Sequence, residues 1–591
     1  MMDCMETTSE PMKEGLLPFW ARQLIEQYRG GTINLFVLHG SVFDMVPLRE
    51  PQATRFVTLK EFVSTALFPN RDGLVYYDQA AGITFSSNEL AADFHSVADA
   101  ATTASGGKPG FGLPREPGRA LPLIERYLRT RLTGKSAKRL AILLEHAQTI
   151  TPVGEAGGLS EEEETCLITL IKWASEPLFL RCDVTIILVT PNITELHQDL
   201  VQNPYVGKLS IELPDELERL EFLQSRFSGD MRALTALKLE TIASLTSGLS
   251  RVNILHMLEQ ALRNKRMLDQ DYVYAAKKEL IEKECYGLLE FARPKYSLDV
   301  VSGHEAAKTW LADDARLIKE GKIDSLPMGY LICGPVGTGK TFLITCYMGS
   351  IGIPCVMLKN FRSQWQGVTE GNMEKILRVL RATGPVGVII DEADAALGNR
   401  DQSGDSGTSS RVFSQIASQM GDTKYRGKIL WFLLTCRPDL LPVDLKRQGR
   451  AEVHIPLFYP SSEEEYGRFF TVMARKAGVK LPPPPPDAGS STILPVEIPK
   501  GLSLSGADIE GVLVRAKRRA QLSGRDELTR EDLSGELEAF IPSVHGPEID
   551  LQVSVAIAEC TDRRFLPEEY RSLDRTQVLL KIKELKALLG S

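Results

Sequence analysis

The stretch GYLICGPVGTGKTFLITCYMG, residues 329–349, decides the fold. It opens on a short apolar run with the length and turn boundary of a buried strand. It closes on the apolar-periodic segment FLITCYMG. Between them Gly334, Pro335, Val336, Gly337, Thr338, Gly339, Lys340 and Thr341 satisfy G-x-x-x-x-G-K-[ST] in full. A strand that runs through a glycine-rich turn into a helix aims backbone N–H groups and the positive helix end at one point, a suitable place for a phosphate. Lys340 is placed to reach the β- and γ-phosphates, and the Thr341 hydroxyl to ligate Mg²⁺.

Further along, VGVIIDEAD (386–394) ends a second apolar strand on Asp391 and Glu392. Asp391 can hold the magnesium through water, and Glu392 can act as general base on the attacking water. With the phosphate loop, these acids imply a competent, Mg²⁺-dependent nucleotidase of the P-loop type. IPCVMLK (353–359) and ILWFLLT (429–435) supply more candidate strands. The expected fold is therefore a three-layer α/β/α domain with a parallel sheet. After Phe458 the chain turns helical, as an all-α lid, broken by PPPPP at 482–486. Five prolines cannot continue a helix. They read as a loop between lid helices or as a ligand for a proline-binding module.

The same order occurs earlier. INLFVLHG (33–40), GLVYY (73–77), RLAILLEHA (139–147) and VTIILVTP (184–191) alternate with amphipathic stretches, and from Glu216 the pattern becomes helical. An α/β block followed by an all-α block thus appears twice, as in a tandem duplication. Ala100–Pro117 reads as a surface loop, and SEEEET (160–165) as a solvated face or a helix start. The first copy lacks the chemistry. INLFVLHG is followed by SVFDMVP, with neither Lys nor Ser/Thr in register. In LAILLEHAQ, Leu144 stands for the metal-holding Asp and only Glu145 remains, while Asn192 of VTPN reads as a relic of a sensor.

Composition narrows the function classes. The chain has 591 residues, 43% hydrophobic and 25% charged, with 69 Lys plus Arg against 77 Asp plus Glu and a net charge of -8. Such a mildly acidic globular chain has no global attraction to nucleic acid or anionic membrane. The basic helix VRAKRRA (514–520) is the one feature that favours a nucleic-acid motor, and a solvated lid face explains it more simply. No apolar run approaches the ~20 residues of a membrane span. The opening MMDCMETTSEPMKEG lacks the pattern of a secretion signal. The nine Cys are scattered without C-x-x-C, which fits a reducing cytoplasm. No H-E-x-x-H protease signature is present.

GYLICGPVGTGKT, VGVIIDEAD and LTCRPDLLPVDLKRQGR together resemble the AAA+ superfamily, specifically the AAA group with the second region of homology, over roughly residues 295–545. That resemblance makes the nucleotide ATP, hydrolysed to ADP and phosphate. By it Val300, Val301 and Gly303 in YSLDVVSGHEAAK lie near adenine, Ala507 in the lid segment Ser505-Gly506-Ala507-Asp508 lies near the nucleotide, and Phe342 is among the nucleotide-binding residues. Cys436 occupies the first sensor, usually Asn; a thiol is a poor donor, so hydrolysis is expected to be slow or Thr435 to substitute. Arg447 and Arg450 are the arginine fingers, acting on a neighbour's nucleotide in a homo-oligomeric, hexameric ring. Trp365, Gln366 and Gly367 fall where the family has a pore loop that grips polypeptide. The loop 398–407 either lines the pore lower down or is simply flexible.

The resemblance divides the chain into a disordered N-terminus (1–15), a degenerate AAA-like α/β domain (16–215), a helical lid-like region and linker (216–290), the ATPase large domain (291–458), its lid (459–545) and a helical tail (546–591). The tail packs on a neighbour or on its own lid. The first domain serves ring stabilisation and docking, or is a structural relic. The implied activity is ATP-driven remodelling of a protein substrate or adaptor; the alternative is a slow-hydrolysing assembly switch.

Overall fold

The computed structural model describes residues 16–50, 53–104, 112–133, 137–154, 158–227, 232–285, 287–292, 294, 296–359, 370–397, 408–483, 494–499, 502–542 and 546–590. The chain forms two compact units, residues 1–280 with 370–382, and residues 281–369 with 383–591.

The first unit contains β1 (Leu35–Gly40), β2 (Val46–Arg49), β3 (Thr54–Val57), β4 (Gly73–Asp78), β5 (Gly82–Phe85), β6 (Leu140–Leu144), β7 (Val184–Thr190) and β8 (Val206–Ile211). Six of these form one sheet in the order β5-β4-β6-β7-β1-β8, parallel except for β5. Successive strand residues point to opposite faces, and here both faces are covered. Leu35 and Val37 pack with Tyr77, Leu144 and Leu188 on one side, Phe36 and Leu38 with Tyr76 and Leu143 on the other. That double burial is why these strands read as unbroken apolar runs. Strands β2 and β3 form a separate antiparallel ribbon. The helices Glu216–Arg226, Leu239–Leu245, Arg251–Arg263 and Gln270–Glu284 make the helical part.

The second unit holds β9 (Leu289–Ala292), β10 (Gly329–Cys333), β11 (Cys355–Leu358), β12 (Val386–Ile390), β13 (Ile429–Thr435) and β14 (Val453–Pro456). Its sheet order is β9-β11-β12-β13-β10-β14, with β9 antiparallel at the edge. Strand for strand this is the order of the first unit. The registers agree as well. Val37 pairs with Leu188 and Leu188 with Leu144, as Leu331 pairs with Leu433 and Leu433 with Ile390. This register corrects the sequence alignment of the two copies. Leu144 matches Ile390, so Glu145 stands in the place of Asp391, His146 in that of Glu392, and Pro191, not Asn192, in that of Cys436.

Two further expectations change, and one open reading narrows. The Ala-rich start of the supposed loop at Ala100 continues the helix Asn88–Ala104, as Ala favours helix. The acidic run is a helix start, with Ser160 and Glu163 forming a capping box. The tail, expected on a neighbour or on its own lid, is placed on the α/β part of its own unit. Its helices Pro547–Glu559 and Arg575–Leu589 join through Leu551, Val555, Val578 and Ile582. They lie on the α/β part through Glu559–Lys446 (2.5 Å) and Lys586–Asp439 (2.6 Å). The lid itself closes around Phe470, Leu504, Ile509, Leu513 and Leu533. Among the described residues no helix is long and apolar enough to cross a membrane.

Candidate nucleotide site

Strand β10 delivers the chain to Gly334 at the carboxyl edge of the sheet, and the helix Lys340–Ile351 leaves from Gly339, which has φ 82°. Gly334 has φ 137°, and a Cβ on it would run into the Leu457 carbonyl. Only glycine fits there. Gly337 has φ 80° and faces the lid: a Cβ would lie 2.8 Å from the Ser505 hydroxyl oxygen and 4.0 Å from the Ala507 methyl. The lid segment predicted to approach the nucleotide therefore does reach the phosphate loop. Ser505 caps its helix reciprocally with Asp508.

Lys340 is 8% exposed, and its ammonium donates to the Gly334 and Pro335 carbonyls (both 2.9 Å) and to the Cys436 sulfur (3.2 Å). No carboxylate among the described residues pairs with it. A buried cation satisfied only by neutral acceptors is costly unless an anion joins it, and glycines leave room for one. The residues present therefore fit a bound phosphate.

Thr341 donates its hydroxyl to Asp391 at 2.8 Å, which brings the two predicted magnesium residues together. Asp391 also accepts the Glu392 N–H at 3.0 Å. Glu392 is exposed and has φ 47°, a strained conformation for a residue with a Cβ. Cys436, assigned to the first sensor by resemblance, faces the Lys340 ammonium. Thr435 does not stand in for it: it is 1% exposed and its hydroxyl donates to Asp394 at 2.6 Å.

Of the residues assigned to adenine, Val301 is core, and its carbonyl accepts Lys308 at 3.0 Å. Gly303 has φ 72° and lies under the Phe469 ring of the lid. Phe342 is 41% exposed and pairs with Tyr296, 57% exposed, at a centroid distance of 6.3 Å.

Three neighbours of the loop were not legible from motif or spacing. His304 brings its Nε2 to within 3.2 Å of the Thr338 carbonyl. Burial lowers its pKa below the usual imidazole value, so the neutral ring donates there. Tyr459 donates to the Val336 carbonyl at 2.7 Å, its phenol kept protonated by burial. Gln552 of the tail accepts the Val336 N–H at 3.1 Å.

The arginine segment lies elsewhere. β14 starts beside Tyr330 near the amino end of β10, and a Cβ on Gly329 would sit 3.1 Å from the Arg450 carbonyl. The five residues of β10 separate that edge from Gly334 by about 16 Å at the usual strand rise. Arg450 donates to the Asp444 carbonyl at 2.8 Å. Arg447 is exposed and forms no ion pair with a described residue. Trp365, Gln366 and Gly367 lie outside the described residues, as does the loop 398–407. The basic lid helix is engaged locally: Arg515 lies over Phe540 at 5.3 Å and Lys517 donates to the Ala477 carbonyl at 3.3 Å.

Three family models match successive stretches of the chain. Residues 10–212 match the AAA+ chaperone N-terminal Rossmann-like domain, 217–286 the AAA+ chaperone second helical domain, and 330–459 the ATPase family associated with various cellular activities. The ATP-dependent zinc metalloprotease FtsH 3 of Sphaerobacter thermophilus is 28% identical over 42% of this chain and 50% of its own length. The cell division cycle protein 48 homolog of Archaeoglobus fulgidus is 23% identical over 57% of this chain and 51% of its own. The peroxisomal ATPase pex6 of Schizosaccharomyces pombe is 32% identical over 29% of this chain and 19% of its own. The chain spans about half the length of the first two relatives, or less of the third. With these matches and the geometry of the phosphate loop, the chain belongs to the AAA+ ATPases.

Proposed function

We propose that the second unit hydrolyses ATP between subunits of a homo-oligomeric ring, hexameric as in the family it resembles, and uses the energy to remodel protein substrates. The observation that carries this reading is the separation within one sheet: phosphate loop at the carboxyl edge, Arg447 and Arg450 at the amino edge. A chain cannot bring its own guanidinium groups to its own phosphates, so a neighbour must supply them.

Lys340 and the N–H groups of residues 337–341 hold the phosphates, with Phe342 and Tyr296 beside the base. Thr341 and Asp391 hold Mg²⁺, which supplies charge neutralisation on the phosphates when bound. Glu392 takes the proton of the attacking water. Cys436 orients that water only weakly, as a thiol donates poorly. Trp365 with Gln366 and Gly367 grips polypeptide in the pore. The chaperone character of the two N-terminal family matches supports a protein substrate. Every described cysteine is a free thiol, which fits a cytoplasmic location.

The test mixes two inactive chains. Lys340→Ala keeps its fingers, and an Arg447→Ala/Arg450→Ala chain keeps its phosphate loop. The reading expects ATP turnover to reappear on mixing, to rise with protein concentration and to be stimulated by unfolded polypeptide. Full turnover by a monomer carrying the double Arg substitution would remove it.

A further inference from the structure

The first unit has the sheet, the register and even the strained corner of a nucleotide-binding fold, yet its cleft is filled with its own charges. Gly40, the counterpart of Gly334, keeps a positive φ of 106° and the same approach to a neighbouring strand carbonyl, here Ile211. Beyond it the phosphate loop is gone. Val46 stands where Lys340 would, and the chain enters the β2–β3 ribbon instead of a helix.

Four residues after Gly40 comes Asp44. Its carboxylate accepts the Val252 N–H at 3.0 Å and the Arg251 guanidinium at 3.3 Å. The side chains are 4% and 6% exposed. Val252 opens the helix Arg251–Arg263, which begins after Leu249-Ser250 with Ser250 as its cap. The second unit's helix Gly506–Leu522 begins in the same way after Leu504-Ser505, the segment that touches Gly337. A helix start facing a phosphate loop is where an anion would sit. In the first unit the anion is Asp44.

The cation is also internal. The ribbon returns to the helix that begins at Leu59, and Thr58 caps it. Its second residue, Lys60, donates to Glu145 at 2.9 Å. In the second unit the second residue of the corresponding helix is Thr341, which reaches Asp391, the counterpart of Glu145. An ammonium thus occupies the place where the other unit would hold a metal. The ribbon ties the helical part further. Arg49 and Thr54 both bind Glu221 (2.8 and 2.9 Å), and Phe56 meets Phe222 edge-on at 4.9 Å.

We infer that the first unit is a self-liganded nucleotide fold: Asp44 and Lys60 replace phosphate and metal, so it takes no nucleotide and its helical part stays clamped to its α/β part. Arg251 joins Asp44 to Glu218 (2.9 Å), so drawing the helical part away from the α/β part would strand the buried Asp44 charge. Nucleotide-driven motion is thereby confined to the second unit.

The full chain tests this with MgATP binding and amide exchange. The Glu392→Gln chain should bind one nucleotide and the Glu392→Gln/Lys340→Ala chain none. Exchange over residues 251–263 should be the same with and without MgATP in the Lys340→Ala chain. Asp44→Asn should speed that exchange at least tenfold without adding a bound nucleotide. If Asp44→Asn does not fold, Arg49→Met, which leaves Glu221 with the Thr54 hydroxyl and no cation from the ribbon, gives the same reading over 216–226. A nucleotide retained after Lys340→Ala, slower exchange at 251–263 on adding MgATP to that chain, or exchange indifferent to the folded variants would overturn the inference. The exchange arm reads the first unit even if the second proves inactive, so the two proposals fail separately.

Discussion

The two units share the order and register of five parallel strands, an antiparallel edge strand and one strained corner, and the difference that bears on nucleotide lies in one connection. Between β10 and its helix lie six residues that turn on glycines and leave a buried ammonium with neutral acceptors and no carboxylate among the described residues. Between β1 and its helix lie Ser41 to Thr58, long enough for a ribbon that carries Asp44 into the cleft. The corner is instructive. His146 has φ 54° and Glu392 φ 47°, so the strain persists where no acid uses it. It belongs to the way the strand end leaves the sheet, and the proposed function gives it a catalytic use only where the residue is a carboxylate. The sheet is a shared platform; chemistry is decided by what the first loop offers to the cleft.

That comparison can be broken at the fingers first. Arg450→Ala, alone or with Arg447→Ala, is expected to lower ATP turnover by about 10³-fold or more, as for other guanidinium groups supplied in trans. A subunit-mixing assay reads it. Next, Glu392→Gln should cost about 10² to 10⁴ in turnover, the usual worth of a positioned base, with ATP still bound. His146→Asn at the matching corner should leave turnover unchanged, and a comparable loss there would show that the first unit does chemistry.

The sensor sharpens the comparison in the other direction. Cys436→Asn replaces a thiol by an amide donor, and a hydrogen bond worth roughly 1 kcal/mol predicts about a fivefold rise in turnover. No rise would mean that Cys436 serves Lys340 and not the water. The smallest effect is expected at the tail. Gln552→Ala frees the Val336 N–H, and about a two- to fivefold rise in KM with little change in kcat would place the tail as a support of the phosphate loop.

The phosphate loop and the acids after β12 were readable because their chemistry is contiguous: a turn of glycines, a Lys and a Thr on the next helical turn, two acids at a strand end. The first unit's acidic corner was misread by one residue, since LAILLEH gives no internal mark of where pairing stops. Only the ladder to Leu188 settles it. Two edge strands are hard to read for different reasons: in β8, VGKLSI, the outward Lys208 and Ser210 break the apolar run, and β14 is only four residues long and ends on Pro456. The tail's amphipathic pattern announced a packed helix without saying against what.

Local steric and hydrogen-bonding rules act over a few residues, so sequence alone determined the central strands, the nucleotide turn and the loss of that turn in the first copy. Tertiary structure decided which distant groups meet. Asp44 and Arg251 lie 207 residues apart, Lys60 and Glu145 lie 85 apart, and the fingers end at the far edge of their own sheet. Such pairings depend on how the whole chain closes, and desolvated charges then select the arrangement in which each finds a partner.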